Sequence, residues 1–314
     1  MKKKVLIIGA NGFIGNRLLS DFSQKTDYVT YGSSLHKDIS PQPDNYHFFC
    51  SDICRIKDLD HLFQSIKPDI VINTSALSVP DYCELHHEEA ERINITAVEN
   101  MARYCEKLGS RFIHLSTDFV FRGNTTRLYT EEDQPDPVNY YGFTKLKSEK
   151  CIAEICSNYV IVRVAVVYGA SLPNQHGNIL QLVANRLKSG QTIRVVSDQW
   201  RTPTFVGDIT QGIEKLVPHP YNGIYHICGA ECVTIAEIAY RVANILKLDD
   251  SLIVPLTSTE MNEATPRPLF SGLSIDKARK ELEYKPCMLN EGITRMFGLT
   301  NSNQRGYKLN KEIQ

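Results

Sequence analysis

The chain has 314 residues, and its 35 Lys and Arg against 36 Asp and Glu leave a formal charge of −1. That balance carries no electrostatic footprint for duplex nucleic acid or an anionic membrane surface. With 42% hydrophobic and 23% charged residues, the composition excludes collagen-like, coiled-coil and largely disordered classes. The length suits two domains or one large α/β unit with an appended lobe, large enough to bury a core without a metal or disulfide staple. Nine cysteines form no C-x-x-C pair, which argues against a disulfide framework or zinc ribbon and for a reducing, cytoplasmic setting.

In chain order, Met1-Lys2-Lys3-Lys4 followed by Val5-Leu6-Ile7-Ile8 imitates a secretory leader. The apolar run stops at Gly9, so a buried strand is expected there. Phe13 to Phe22 has helical spacing, and Tyr28–Tyr31, Tyr46–Phe49, Ile70–Ile72 and Arg111–Leu115 read as further strands. A helix of about 88–108, capped at Gly109, precedes the last of these. Another runs from near Asn139 to about Cys156, followed by the strand Val160–Val166. This alternation predicts an α/β fold, a Rossmann-type doubly wound parallel sheet. Beyond Gly169 the sequence turns loopier, and Thr234 with Glu237 predicts a capping box opening the helix Thr234–Leu246. The expected division is a dinucleotide-binding domain over 1–169, with about 205–229 returning to it. A smaller C-terminal substrate-binding lobe is expected from 170–204 and 230–300, and a frayed tail over 301–314. No apolar stretch is long enough to cross a membrane. His86-His87-Glu88-Glu89 points in several directions on a helix and reads as a solvated helix start, so no metal is expected. The two long helices could pair across a homodimer or pack only on the sheet.

Gly9-Ala10-Asn11-Gly12-Phe13-Ile14-Gly15 follows a strand and opens a helix. Glycine at Gly9 allows a tight turn, Gly12 lets backbone reach a pyrophosphate, and Gly15 permits close helix–strand packing, with the helix N-terminus meeting the negative charge. Where a NAD-selective site places a carboxylate after the second strand, this chain has Ser33 and Ser34, with His36 and Lys37, and no acid before Asp38. NADPH is therefore the expected cofactor, with NADH the alternative.

Tyr141 and Lys145 lie four residues apart and share a helix face. A ketone reductase must give a proton to the nascent alkoxide, and a phenol serves at neutral pH when a neighbouring cation lowers its pKa, the role expected of Lys145. The strand ending in Ser116-Thr117-Asp118 delivers a hydroxyl to the sheet edge where ligands bind, so Thr117 is expected to orient the substrate carbonyl.

Here the sequence resembles the extended short-chain dehydrogenase/reductases, and within them the dTDP-4-dehydrorhamnose reductase family, over about residues 4–298. Further marks are Asp52-Ile53, Asn73-Thr74-Ser75-Ala76, Asn94, Val167-Tyr168-Gly169, Asp198 to Thr204, Asp208, and Arg267-Pro268 with Ser271 and Leu273. The resemblance implies Thr117, Tyr141 and Lys145 as the catalytic triad, with Asp118 beside the sugar. It implies Asp52 and Ile53 at the adenine, and Ser75, Ala76, Leu77 and Asn94 along the cofactor. Gln199, Arg201 and Arg267 would face the nucleotide-sugar substrate. Phe119 stands where family members often have Tyr, and Val166 where they have Trp, which leaves the sugar open. Phe119 also replaces the Glu that related dehydratases place after the Thr-Asp pair, and Ser116-Thr117 lacks the Cys of the epimerising reductases, so simple 4-keto reduction is expected. A non-catalytic relative of this fold, the methionine adenosyltransferase β subunit, supplies the alternative role.

Overall fold

In the first strand, β1 (Lys3–Ile8), Val5 and Ile7 face one way and Leu6 and Ile8 the other, and all four are fully buried. Side chains alternate across a strand, so such a run must be covered on both faces. The computed structural model describes residues 2–40, 45–172, 175 and 177–299, and the predicted tail lies outside them. Six further strands join β1: β2 (Tyr28–Ser34), β3 (Tyr46–Cys50), β4 (Ile70–Asn73), β5 (Arg111–Thr117), β6 (Tyr159–Val164) and β7 (Gly223–His226). All are parallel, in the order β7-β6-β5-β4-β1-β2-β3. The fold is Rossmann-type, and its strand order reverses between β1 and β4, where open α/β sheets bind ligands at the carboxyl edge.

Leu18, Leu19 and Phe22 from the helix Phe13–Ser23, with Ile209, Ile213 and Leu216 from the helix Val206–Leu216, cover the Val5/Ile7 face. The Leu6/Ile8 face is covered by Leu59, Leu62 and Phe63 of Ile56–Ile66, Val98 and Met101 of Ala97–Leu108, and Ile152 of Tyr140–Ile155. A separate apolar cluster joins the helices Ile179–Lys188, Ile235–Leu246 and Leu289–Met296 to the paired strands Ile193–Val196 and Ile253–Leu256. Among the described residues, no helix is long and apolar enough to cross a membrane.

Several expectations need correction. The run Leu273–Tyr284, read within the lobe, packs on the sheet through Leu273, Ile275, Ala278, Leu282 and Tyr284, because the sheet face beneath β7 needs an apolar cover. The helix read over 88–108 is interrupted: α-helical His87–Glu91 passes through a π-helical turn, Arg92–Thr96, into Ala97–Leu108. Ser33 and Ser34, read as loop, are the last residues of β2. The strand read as Val160–Val166 ends at Val164, since Val166 adopts a φ of 38°. At Thr234 only half the capping box forms: its side chain accepts from Glu237 N, while the Glu237 carboxylate turns to Arg241.

Candidate active site

At the switch point, Gly9 takes a φ of 82°, and a Cβ there would sit 2.7 Å from Thr74 Oγ1. A Cβ on Gly15 would lie 2.2 Å from the Gly9 carbonyl oxygen. The loop therefore tolerates no side chain at either position. The helix that follows has Gly12 as its N-cap, no side-chain cap and no carboxylate in its first turn. Its free N–H groups and dipole face a cavity of about 800 Å³ whose wall includes Gly9, Asn11, Gly12, Phe13, Ile14 and Gly15. A pyrophosphate fits this uncapped end on steric and electrostatic grounds.

The same cavity is walled by Ser34, Ser75, Ala76, Thr117, Asp118, Tyr141, Lys145 and Arg267. Ser33 is not among its walls: its hydroxyl is buried without a partner, and its carbonyl accepts the N–H groups of Gly9 and Ala10. Alternation in β2 turns the Ser33 side chain into the sheet and Ser34 outward. Asn11 lies on the wall, yet its side chain ties the loop to the backbone of His36, Lys37 and Ile39. Asp52 and Ile53 do not line the cavity; the Asp52 carboxylate turns back to Cys54 N, and Ile53 packs on the core. Asn94 sits on the π-helical turn and is fully buried. It clamps Leu77 at both N–H (2.8 Å) and C=O (3.0 Å) and donates to Thr144 Oγ1 (3.0 Å), so it fixes the cavity wall to the Tyr140–Ile155 helix. Wide turns of this kind recur at functional sites.

Asn139 caps that helix by accepting from Gly142 N, which aims Tyr141 and Lys145 into the cavity beneath Thr117. Burial pushes the Tyr141 phenol well above its ordinary range, against a hydrogen bond with Thr117 that lowers it; Asp118 and Cys83 add to the rise. The expectation that Lys145 lowers this pKa is therefore corrected. Lys145 Nζ instead lies 2.9 Å from His114 Nε2, and burial draws its own pKa down to about 8. The phenol holds its proton at neutral pH, the state required of a proton donor. Thr117 Oγ1 donates to Asp118 Oδ1 at 3.2 Å and accepts from Phe119 N.

The basic residues of the lobe differ from expectation. Gln199 is buried, its amide donating to Glu263 (2.6 Å) and Ser258 (3.1 Å) and accepting from Arg201. Arg201 is buried too, donating to the carbonyls of Trp200 and Pro268, lying 3.6 Å from Asp118 and over the Phe119 ring. Neither lines the cavity; Gln199 holds Arg201, and Arg201 faces Asp118, which also accepts a hydrogen bond from Ser271. Burial nonetheless raises the Asp118 pKa, with Arg201 opposing. Arg267 does reach the cavity, held between Asp81 (3.1 Å) and Glu263 (2.7 Å). Val166 walls the cavity as well. Its positive φ is an outlier for a β-branched residue and costs about 1–3 kcal/mol, held by the Thr204 bonds to Val166 and Ala165 carbonyls. Sequence reasoning gave His114 no role, because an isolated histidine in an apolar strand reads as core. Its position two residues before Ser116 on a central strand was the available signal. No metal-binding cluster occurs among the described residues.

A family model described as RmlD substrate binding domain matches residues 2–301. The chain belongs to the RmlD substrate binding domain family. Within reach of this family lie the spore coat polysaccharide biosynthesis protein SpsK of Bacillus subtilis, 31% identical over 92% of this chain and 95% of that protein. Methionine adenosyltransferase 2 subunit beta of Xenopus laevis is 30% identical over 88% of this chain and 82% of its own length. The dTDP-4-dehydrorhamnose reductase of Bacillus anthracis, solved in complex with NADP, is 27% identical with a TM-score of 0.82, covering 95% of this chain and 99% of that one. The proteins it is similar to are thus named for a reductase, for polysaccharide biosynthesis and for a methionine adenosyltransferase subunit.

Proposed function

We propose that this chain is an NADPH-dependent reductase of a 4-keto group on a nucleotide-linked deoxysugar, acting in cell-surface polysaccharide synthesis, with NADH the alternative cofactor. The observation that carries the reading is that Thr117, Tyr141 and Lys145 meet on one cavity whose floor is the uncapped Gly9–Gly15 loop. When bound, the nicotinamide supplies the hydride. Thr117 turns its hydroxyl from Asp118 to the substrate carbonyl, and Tyr141 transfers its phenolic proton to the oxygen that becomes the alcohol. Lys145 holds the cofactor ribose. Arg267 exchanges one carboxylate partner for the diphosphate of the substrate. The sheet-bearing part would hold the cofactor, and the lobe, less Leu273–Tyr284, the sugar nucleotide. The likeness to SpsK and to the B. anthracis reductase supports this reading.

The methionine adenosyltransferase likeness supports a second reading, a non-catalytic cofactor-binding subunit. Nicotinamide oxidation by the purified chain, followed against dTDP-, GDP- and UDP-linked 4-keto-6-deoxysugars, separates the two. Oxidation dependent on one sugar nucleotide is expected; silence across the panel with NADPH still bound favours the second.

A further inference from the structure

Behind the cavity, four polar side chains run in single file through the sheet. Ser75, on the cavity wall, donates to Asn73 Oδ1 from both its N–H (3.0 Å) and its hydroxyl (2.6 Å). Asn73 Nδ2 lies 3.0 Å from His114 Nδ1, and His114 Nε2 lies 2.9 Å from Lys145 Nζ. Asn73, His114 and Lys145 are buried to within 1%, so bulk water offers them no alternative partners.

Donors and acceptors must alternate along such a file. With Asn73 Oδ1 occupied by Ser75, its amide N–H points at His114 Nδ1, which must then accept. The imidazole proton sits on Nε2 and is donated to Lys145, whose nitrogen accepts only as a neutral amine. Protonated Lys145 has no lone pair and must donate to Nε2. That moves the imidazole proton to Nδ1, where it needs Asn73 Oδ1. Asn73 then rotates its amide, so that the Ser75 backbone N–H and hydroxyl both lose Oδ1, and the hydroxyl is released toward the cavity. Going from the first arrangement to the second takes up one proton from solvent, which ends on Nζ, while the imidazole stays neutral throughout.

We propose that His114 is a positioning residue that couples the charge on Lys145 to the hydrogen-bonding state of Ser75 on the cofactor wall. The proposal rests on the reading of Lys145 as a cofactor-facing residue. Other groups face this file without entering it. Ser148 Oγ lies 3.3 Å from His114 Nε2 and donates to the Lys145 carbonyl. Glu149, one turn beyond Lys145, is neutralised by Arg163 through bonds of 2.6 and 3.0 Å. Tyr141, one turn before, keeps its proton across neutral pH, and the Phe112 ring is the aromatic neighbour of His114 on its own strand. Burial and Lys145 both hold the His114 pKa well below the ordinary histidine value, consistent with an imidazole that changes tautomer without gaining charge.

The direct test is 15N NMR of histidine-labelled full-length protein without cofactor, the His114 signals being those lost in His114→Gln. The Nδ1–H tautomer is expected below pH 7 and the Nε2–H tautomer above pH 9, with no imidazolium at any pH; a single tautomer throughout, or charging near the ordinary value, overturns the proposal. A second measurement is NADPH affinity against pH. His114→Gln offers Lys145 an amide that cannot exchange tautomers, so its affinity at pH 7 should stay within about threefold. Its alkaline loss of affinity should move by a pH unit or more. An unmoved alkaline limb with weaker binding at every pH would mean a merely structural histidine and would also overturn it. Neither readout needs turnover, so failure of the reductase reading leaves a distinct signature: a tautomer change with no sugar reduced.

Discussion

Two parts of the cleft bury charged side chains and use them in opposite ways. Along the end of β5 and the Tyr140–Ile155 helix, Tyr141 and Lys145 are held from behind, by Asn139, Asn94 and His114, and keep a face on the cavity. Across from them Gln199, Arg201, Glu263, Asp118 and Ser271 are bonded to one another. A buried charge held from one side is available for chemistry; one bonded on every side sets the shape of the wall. The rule that buried polar groups must find partners decides which is which, because it counts the atoms left over after the fold is made.

Breaking the first part should have the largest effect. Tyr141→Phe should lower kcat by about 10²–10⁴-fold, the usual contribution of a general acid, while NADPH affinity holds; turnover equal to the parent would remove Tyr141 from the proton-donor role. Breaking the second part should appear as stability instead. Arg201→Met leaves Asp118 buried beside no cation, and a loss of about 3–5 kcal/mol is expected in denaturant titration. Adding Asp118→Asn should recover part of it, and an unshifted midpoint for the single variant would show that Arg201 does not lock the wall.

The contrast sharpens with pH. Burial lowers the Lys145 pKa to about 8 from 10.5, so between these values the unfolded chain binds the proton that the folded one has shed. Stability should therefore rise with pH in that window, by about 2 kcal/mol from pH 8 to 10, and level off below pH 8, where both states carry the proton. Lys145→Met should flatten this slope, and a slope unchanged in that variant would assign it to another group. The smallest stability effect belongs to Arg267, whose side chain keeps 21% of its surface exposed. Arg267→Ala should cost about 1 kcal/mol or less but raise KM for the sugar nucleotide. An unaltered KM would place the diphosphate elsewhere.

The glycine-loop side of the cavity was largely legible because its determinants are local. Gly9, Gly12 and Gly15 are required within a single strand–turn–helix, and Tyr141 with Lys145 within a single helical turn. Ser33 was misread because β2 runs three residues past Tyr31, and in a period of two Ser33 and Ser34 face opposite ways. The lobe was less legible: Gln199 and Arg201 looked like substrate ligands because residue type alone cannot say whether Glu263, Pro268 and Asp118 will arrive from distant segments to use their hydrogen bonds. The Val166 turn was invisible for a related reason, since a β-branched residue predicts strand and its positive φ is imposed by Thr204.

The sequence by itself determined the parallel sheet, the glycine loop at its switch point and the pairing of Tyr141 with Lys145, since each follows from backbone geometry over a few neighbouring residues. The tertiary structure alone decided which buried polar groups keep an atom free for the cavity, and that His114 stands behind Lys145. Those outcomes depend on hydrogen-bond partners 31 to 153 residues apart, whose meeting is a property of the packed whole.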